Sequence, residues 1–533
     1  MKTNEKTENG KRQRQTLPDA NSRQGGKVVA YEPRIRTDSD DGTETYLTPD
    51  DFLTDEWIEQ IYSDPKRLSI STKTICFHNL DAKGNPVGIN DMRIFTYIKH
   101  TQHIFVCGGV PYIYRNGFYE MDFRGTVIKS MIRDCCLEKY VKSTAVKRVY
   151  ELFLMDVDLE KQPYELNQYP PEMVNFENGM FNAATGRMEP HDPKFYSINQ
   201  IPWKYDPRNA GSGENIKKFL TYSIPDGDDR EMLLEYIGLT CSIDSRQQKM
   251  LVIRGNGGTG KSTMINLIQA IVGKRNTSNI SMNKLSEKFH AIHLMGKLLN
   301  ACADLEIDAL DDVSAIKKLV GEDEISDSYK GKDNISFANY AKMIYSTNEL
   351  PTVRNEKTRG FYRRLLILTM DKKPEKMDPG LQTKLENEIP YLICLAMNAF
   401  RRLVKRGKIK ESDNSVEMVA QLRKDSDTVE AFLADGYELT ENDSDKISRT
   451  ILFEKYEEYC KTWGRQPHSR MNFYKALRNR GLKERKWSQG RYFIGLRVKE
   501  DDDGYMAPPE RHSDDDIPLP DPVGEQMKIP FEA

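Results

Sequence analysis

Within the nine residues Gly255, Asn256, Gly257, Gly258, Thr259, Gly260, Lys261, Ser262 and Thr263, the types at Gly255, Gly260, Lys261 and Ser262 complete the spacing G-x-x-x-x-G-K-[ST]. Each residue type there has a task in phosphate chemistry. Glycines let the backbone curl so that its N–H groups point inward at phosphate oxygens. Lys261 can set a mobile positive charge over β- and γ-phosphates, and the Ser262 hydroxyl can ligate Mg²⁺. The expected ligands are therefore ATP and Mg²⁺. This chemistry needs a stage. Met250-Leu251-Val252-Ile253 is apolar and has the length of a buried parallel strand. Met264, Ile265, Leu267, Ile268, Ile271 and Val272 then recur at helical spacing up to Gly273. Strand, glycine loop and helix together distinguish a phosphate cradle from a glycine-rich turn. The helix start adds a partial positive charge.

Hydrolysis needs more than a cradle: an acid on a neighbouring strand must hold the metal. Leu298 to Ala303 reads as a buried strand, with Asp304 and Glu306 at its end. Asp304 is the candidate metal ligand and Glu306 the candidate for orienting the attacking water, although other acids crowd the same stretch. A further strand, Tyr340 to Ser346, ends in Thr347-Asn348-Glu349. An Asn at a strand tip can sense the γ-phosphate by hydrogen bonding. Arg363 and Arg364 stand just before the apolar run Leu365-Leu366-Ile367-Leu368. Arginines so placed are commonly solvated, or in a ring ATPase reach a neighbour's phosphate.

The 533 residues are enough for several domains, and the net charge of −2 hides an uneven distribution. Residues 1–48 contain few large apolar side chains, which predicts a disordered polar and basic tail. Residues 49–240 read as an α+β domain, with strand and turn signals at Ile104–Cys107, Pro111–Tyr114, Asn116-Gly117 and Asn178-Gly179. Residues 241–410 read as the α/β nucleotide-binding core, with a helix over 381–406 closing it. Residues 426–499 form a cationic module, and 500–533 an acidic, proline-containing tail. No apolar run is long enough to span a membrane and no secretory signal is evident, so a cytoplasmic protein is expected. The eight cysteines include no C-x-x-C pair, so reduced thiols are expected rather than a zinc ribbon.

Between Lys461 and Lys499 there are twelve basic residues and one acid, Glu484. Ile451, Leu452, Tyr456, Tyr459 and Cys460 have helical spacing. Ser469 reads as the N-cap of a second helix through Met471, Phe473, Tyr474 and Leu477. Lys483–Trp487, a Ser-Gln-Gly turn and Arg491–Gly495 then read as a two-stranded wing. Helix, helix and basic wing predict a winged-helix reader of duplex DNA. Arg470, Lys475, Arg478, Lys486 and Arg491 are the candidate contacts. A solvated basic face is the competing reading.

The order of these motifs resembles the superfamily III helicase domain of phage and plasmid primase–helicases, with poxvirus proteins as distant relatives. The carrying segments are Gly255–Thr263, Ala301–Glu306, Ile316–Lys332, Phe337, Ala341-Lys342, Ser346–Pro351 and Gly360–Arg364. Upstream, Asn178–Gly186, Pro190–Pro193 and Trp203–Pro207 resemble the domain that precedes this core. The resemblance covers roughly residues 90–500. It implies an AAA+-like ATPase core and a homo-oligomer, a hexameric ring, that moves on single-stranded DNA. It implies Lys261 and Ser262 as nucleotide ligands, Asp304 as metal ligand, Asn348 as sensor, and Arg363 or Arg364 acting in trans. Lys330, with Lys332, would lie on a hairpin that grips single-stranded DNA. The acids are spaced Asp304-Leu305-Glu306 where the family has them adjacent, which separates Glu306 from its expected role. Too few residues precede the matched region for a primase–polymerase domain, so no primer synthesis by this chain alone is expected. The functional expectation is a replicative helicase and origin-binding initiator of a phage or mobile element, in a bacterial host cytoplasm. It would work beside a separate primase, polymerase or other replisome protein. The alternatives are a primase–helicase component and a DNA-binding regulator or packaging ATPase.

Overall fold

The structure, a computed structural model, describes residues 35–38, 44–47, 65–303, 314–321, 323–331, 333–350, 359–440, 442–463 and 467–499. Asp304, Glu306 and Lys332 therefore lie outside the described residues, as does the expected tail 500–533. Within 1–48, Ile35–Asp38 pairs antiparallel with Glu44–Leu47, so the expectation of a featureless tail fails there. Ile35, Thr37, Thr45 and Tyr46 are strand formers flanking an Asp41-Gly42 turn signal.

The chain divides into two compact units, Met1–Val419 and Ala420–Ala533. The first begins with a small α+β module. Its strands Ile104–Cys107, Val110–Arg115 and Phe118–Met121 form an antiparallel sheet. Helices Asp91–Thr101, Thr126–Cys135 and Ser143–Met155 bury Ile94, Ile98, Ile128, Ile132, Val149 and Phe153 in one core. The boundary expected at residue 240 is not a physical one. The hairpin Met173–Asn182 and helices α1 (Glu214–Ser223) and α2 (Gly227–Thr240) share a single hydrophobic core with the residues that follow.

That core surrounds a five-stranded parallel sheet. Its strands are β1 (Met250–Arg254), β2 (Thr277–Ser278), β3 (Leu299–Cys302), β6 (Lys342–Thr347) and β7 (Leu365–Thr369), in spatial order β2-β3-β6-β1-β7. All residues of β6 are buried, which suits a strand covered on both faces. Helix α3 (Lys261–Val272) follows β1 and buries Met264, Ile265, Leu267, Ile268, Ile271 and Val272 against the sheet. The helix expected over 381–406 is two, Leu381–Glu386 and α5 (Ile389–Arg406). Pro390 lacks the N–H and crowds the preceding turn, so the break falls before it. Gly238 lets α2 and α5 approach closely: a Cβ there would stand 2.6 Å from both the Ala396 carbonyl oxygen and the Phe400 Cβ. Between β3 and β6 lie α4 (Ser314–Val320) and an antiparallel hairpin of β4 (Glu324–Asp327) and β5 (Ile335–Ala338).

In the second unit, α6 (Thr428–Gly436), α7 (Arg449–Thr462) and α8 (Arg470–Asn479) pack around Phe432, Tyr456 and Phe473. The Tyr456 and Phe473 rings stack 4.3 Å apart. Strands β8 (Tyr437–Leu439) and β12 (Leu496–Val498) pair, and β9 (Lys446–Ser448), β10 (Lys483–Trp487) and β11 (Gly490–Ile494) form a sheet in the order β9-β11-β10. Ser469 caps α8, accepting from the Asn472 N–H at 3.4 Å. Ser488-Gln489 turns β10 into β11. All eight cysteines are free, and seven are buried.

Candidate functional site

A cleft of about 890 Å³ opens at the carboxyl ends of β1, β3 and β6, where open α/β sheets commonly bind ligands. Gly257 to Thr263 form its floor, and Ala303, Ser346, Thr347 and Asn348 one wall. The glycines are there for space and conformation. A Cβ on Gly255 would stand 2.0 Å from the Met370 carbonyl oxygen. Gly258 and Gly260 have φ of +82° and +96°, which favour glycine. Thr259 is buried and its hydroxyl donates to the Asn256 carbonyl at 3.0 Å, which closes the loop on itself. Helix α3 begins at Lys261, so its free N–H groups start at the cleft floor.

Lys261 and Asn348 are 87 residues apart in sequence and meet here. The Lys261 ammonium donates to the Asn348 Oδ1 and to the Asn256 carbonyl, each at 2.9 Å, and also to the Gly255 carbonyl. These neutral oxygens occupy the positions where a polyphosphate would compete for the ammonium, with the advantage of charge. Ser262 is exposed in the same cleft. Strand β3 runs towards it, with Ala303 on the wall.

Arg363 and Arg364 lie at the opposite, amino-terminal end of the sheet. They precede β7, which runs parallel to β1 with Leu365 beside Met250 and Thr369 beside Arg254. Five residues of strand put roughly 16 Å between the arginines and the glycine loop of the same chain, at about 3.3 Å per residue. The two differ. Arg363 is exposed and donates to Gln248 Oε1 at 3.2 Å. Arg364 is 8% exposed, donates to the Gly360 carbonyl at 2.5 Å, and has a buried Nε without a partner among the described residues. Burial, and then Arg363, lower its pKa from the usual guanidinium value, with Asp323 opposing. Lys330 is exposed in the turn joining β4 to β5, where Gly331 has φ of +77°.

Two family models match this chain: "D5 N terminal like" over residues 121–222 and "Family of unknown function (DUF5906)" over 253–364, which spans the glycine loop through Arg364. The chain is 25% identical over 326 residues to "Putative helicase L207/L206" of Acanthamoeba polyphaga mimivirus, covering 54% of this chain and 33% of that protein. It is 22% identical over 233 residues to "Putative helicase 121R" of Invertebrate iridescent virus 3, covering 41% of this chain and 24% of that one. The chain thus spans a third or less of the length of these curated relatives. These matches support kinship with the phage and viral primase–helicase family. Solved structures of the C-terminal region of NrS-1 are similar at TM-scores of 0.44 and 0.45, with 14% and 12% identity. They cover 74% and 76% of this chain, and 96% and 100% of theirs.

The second unit carries the remaining predicted residues. Arg470, Lys475, Lys486 and Arg491 are exposed. Arg478 is committed to Glu484 at 2.6 Å. Glu484, the one acid in the cationic window, also takes Arg449 at 3.1 Å and Arg491 at 3.7 Å. Acids from earlier in the unit fold back onto other cations: Asp427 and Glu430 onto Arg480, Asp443 onto Arg485, and Asp445 onto Arg497. Lys446 adds a cation over the Trp487 and Tyr492 rings of the hairpin, at 5.0 and 5.7 Å.

Sequence reasoning missed the opposite wall of the cleft. Phe219 and Tyr222 of α1 face Met377, Pro379, Leu381 and Gln382 there. Phe219 presses on Gly260, where a Cβ would meet its ring at 3.1 Å. Their i, i+3 spacing marks a helix face, but nothing in it points to a loop forty residues away. For Mg²⁺, the Ser262 hydroxyl is the donor that follows the glycine loop, the Asp378 carboxylate on the same cleft is paired with Lys384 at 2.7 Å, and no group of three or more acidic, His or Cys side chains that could hold a metal occurs among the described residues. One hydroxyl fits a cation that arrives with its nucleotide and keeps phosphate and water ligands. No helix among the described residues is long and apolar enough to cross a membrane.

Proposed function

We propose that this chain is an ATP-dependent DNA helicase of the replication type, with an AAA+-like ATPase core and a C-terminal winged-helix module. The observation that carries this reading is the meeting of Lys261 Nζ and Asn348 Oδ1 at 2.9 Å over a glycine loop. A lysine that holds phosphates and an amide that senses them belong within one hydrogen bond of each other. ATP would lie along the loop, its phosphates at the α3 N-terminus, and Mg²⁺ on Ser262 with Asp304 as the candidate second ligand. On binding, Lys261 exchanges its carbonyl partners for phosphate oxygens and so frees Asn348 to report the state of the γ-phosphate. Glu306 is the candidate for orienting the attacking water.

The arginines support a ring. At the amino-terminal end of the strands, opposite the cleft, Arg363 and Arg364 are out of reach of their own glycine loop, so a role in hydrolysis requires a second copy. Lys330 on its hairpin turn, with Lys332, is the proposed grip on single-stranded DNA. Arg470, Lys475, Arg478, Lys486 and Arg491 are the proposed contacts to duplex DNA. The test is strand displacement on forked DNA with ATP and Mg²⁺. The expected result is unwinding that stops when ATP or Mg²⁺ is withheld. Hydrolysis stimulated by DNA without displacement of either strand would remove the helicase reading and leave a regulatory or packaging ATPase.

A further inference from the structure

The turn before β7 presents two adjacent arginines differently, and a buried lysine is bonded to it. The Lys249 side chain is 8% exposed, and its ammonium forms an ion pair with Glu411 at 2.9 Å. The same ammonium donates to the Arg363 carbonyl at 2.8 Å. The next residue, Met250, donates its N–H to the Arg364 carbonyl at 2.7 Å, and Arg364 donates its own to the Phe361 carbonyl at 2.9 Å. The backbone on both sides of the Arg363 side chain is therefore pinned. Its guanidinium is left exposed, resting on Gln248, whose left-handed φ of +49° holds that amide beside it.

We infer that Lys249, braced by Glu411, is a positioning residue that presents Arg363 to the phosphates of a neighbouring copy of the chain, and that Arg364 is structural. The inference rests on the proposed ring ATPase. An arginine acting in trans is useful in proportion to its preorganisation, because the neighbour's transition state gains little from a guanidinium that must first be ordered. A neutral amide is a suitable resting partner: a phosphate oxygen makes the stronger, charge-assisted bond and displaces it. Arg364 is excluded by its surroundings. Its guanidinium is buried and within 3.4 Å of the position a Cβ on Gly321 would take, so it secures this turn to the end of α4.

Mixed rings of the full chain test this. Lys249→Met should lower ATP hydrolysis by about 10- to 100-fold, the usual effect of misplacing a reacting group by an ångström or less. Affinity for a fluorescent ATP analogue should stay unchanged, and Lys249→Arg should restore part of the rate. Mixing Lys249→Met with Lys261→Ala should recover hydrolysis to the extent that Arg363→Ala mixed with Lys261→Ala does. In both mixtures some interfaces pair an intact loop with a well-presented arginine. A merely structural defect at Lys249 would not be repaired by a partner that has lost its own loop. Arg364→Ala should lower the melting temperature and show no recovery on mixing. Recovery with Arg363→Ala but none with Lys249→Met overturns the positioning role alone. No recovery with either, in rings shown to be mixed, removes the trans arginine and the inference with it. If Lys249→Met melts early, Glu411→Gln, which keeps the lysine and weakens its brace, must give the same partial recovery.

Discussion

The glycine-loop cleft and the cationic module both announce themselves in the sequence, and they fold by different rules. In the cleft, the marked residues stay where the spacing puts them. Gly255 has no room for a side chain, Gly258 and Gly260 take backbone conformations that favour glycine, and Lys261 ends within reach of Asn348. In the cationic module, the charges redistribute. Of twelve basic residues between Lys461 and Lys499, Arg478, Arg480, Arg485, Arg491 and Arg497 face carboxylates within 4 Å. A motif that constrains backbone survives folding intact, because sterics are local. A charge run does not, because any acid that the fold brings near changes its meaning.

The largest expected effect breaks the first region and spares the second. Lys261→Ala removes the mobile charge over the phosphates and should cut ATP hydrolysis by about three orders of magnitude, measured as phosphate release. Duplex DNA binding by residues 420–499 should be untouched, since that unit has a core of its own. Hydrolysis retained in this variant would refute the assignment of the cleft.

How far the sequence was legible follows the same division. The strand before the loop, helix α3 and the Ser469 cap were readable because period and capping act within a few residues, whereas the hairpin around Lys330 followed only from the resemblance. The shared core that ignores residue 240 was not, because α1 and α2 join the sheet from earlier in the chain. Phe219 is one case: it is one apolar residue of a helix until α1 lays it against Gly260. Lys249 is another: its partner Glu411 is 162 residues away, and the same ammonium also holds the Arg363 turn. Glu484 looked like the single flaw in a basic run, whereas its carboxylate gathers Arg449, Arg478 and Arg491 from a helix start, a helix end and a strand.

An intermediate effect sharpens the comparison by counting the charges that remain. On α8 and the wing hairpin, Arg470, Lys475, Lys483 and Lys486 face no carboxylate within ion-pair distance among the described residues, and Arg491 is held at 3.7 Å by Glu484. If these cations meet phosphates, log affinity for duplex against log salt should slope at about −4 for residues 420–499. A slope near −10 would mean that the ion pairs open on binding and that the sequence count of twelve was the better guide. No binding at low salt would make the module a solvated or protein-docking face.

The smallest effect concerns Glu484, where charge arrangement and stability meet. Burial raises its pKa, but hydrogen bonds and charge from Arg478 and Arg449 outweigh this and hold it below the usual value. A carboxyl whose folded pKa lies below its unfolded one binds fewer protons when folded. Its stabilisation is therefore complete above the unfolded value of about 4.3 and is lost as pH falls through the folded value. Glu484→Gln should cost residues 420–499 about 2 kcal/mol at neutral pH, since hydrogen bonds to charged groups are of that size. The cost should shrink towards zero as the wild-type carboxyl titrates below about pH 4, read by urea denaturation across pH. The same substitution removes a negative charge from the face that carries Arg478 and Arg491, so the salt slope should steepen by about one unit. Equal stability of the two proteins at neutral pH would show that the three arginines need no common partner. An unchanged slope together with the lost stability would show that they are scaffolding and that phosphates are met elsewhere on the module.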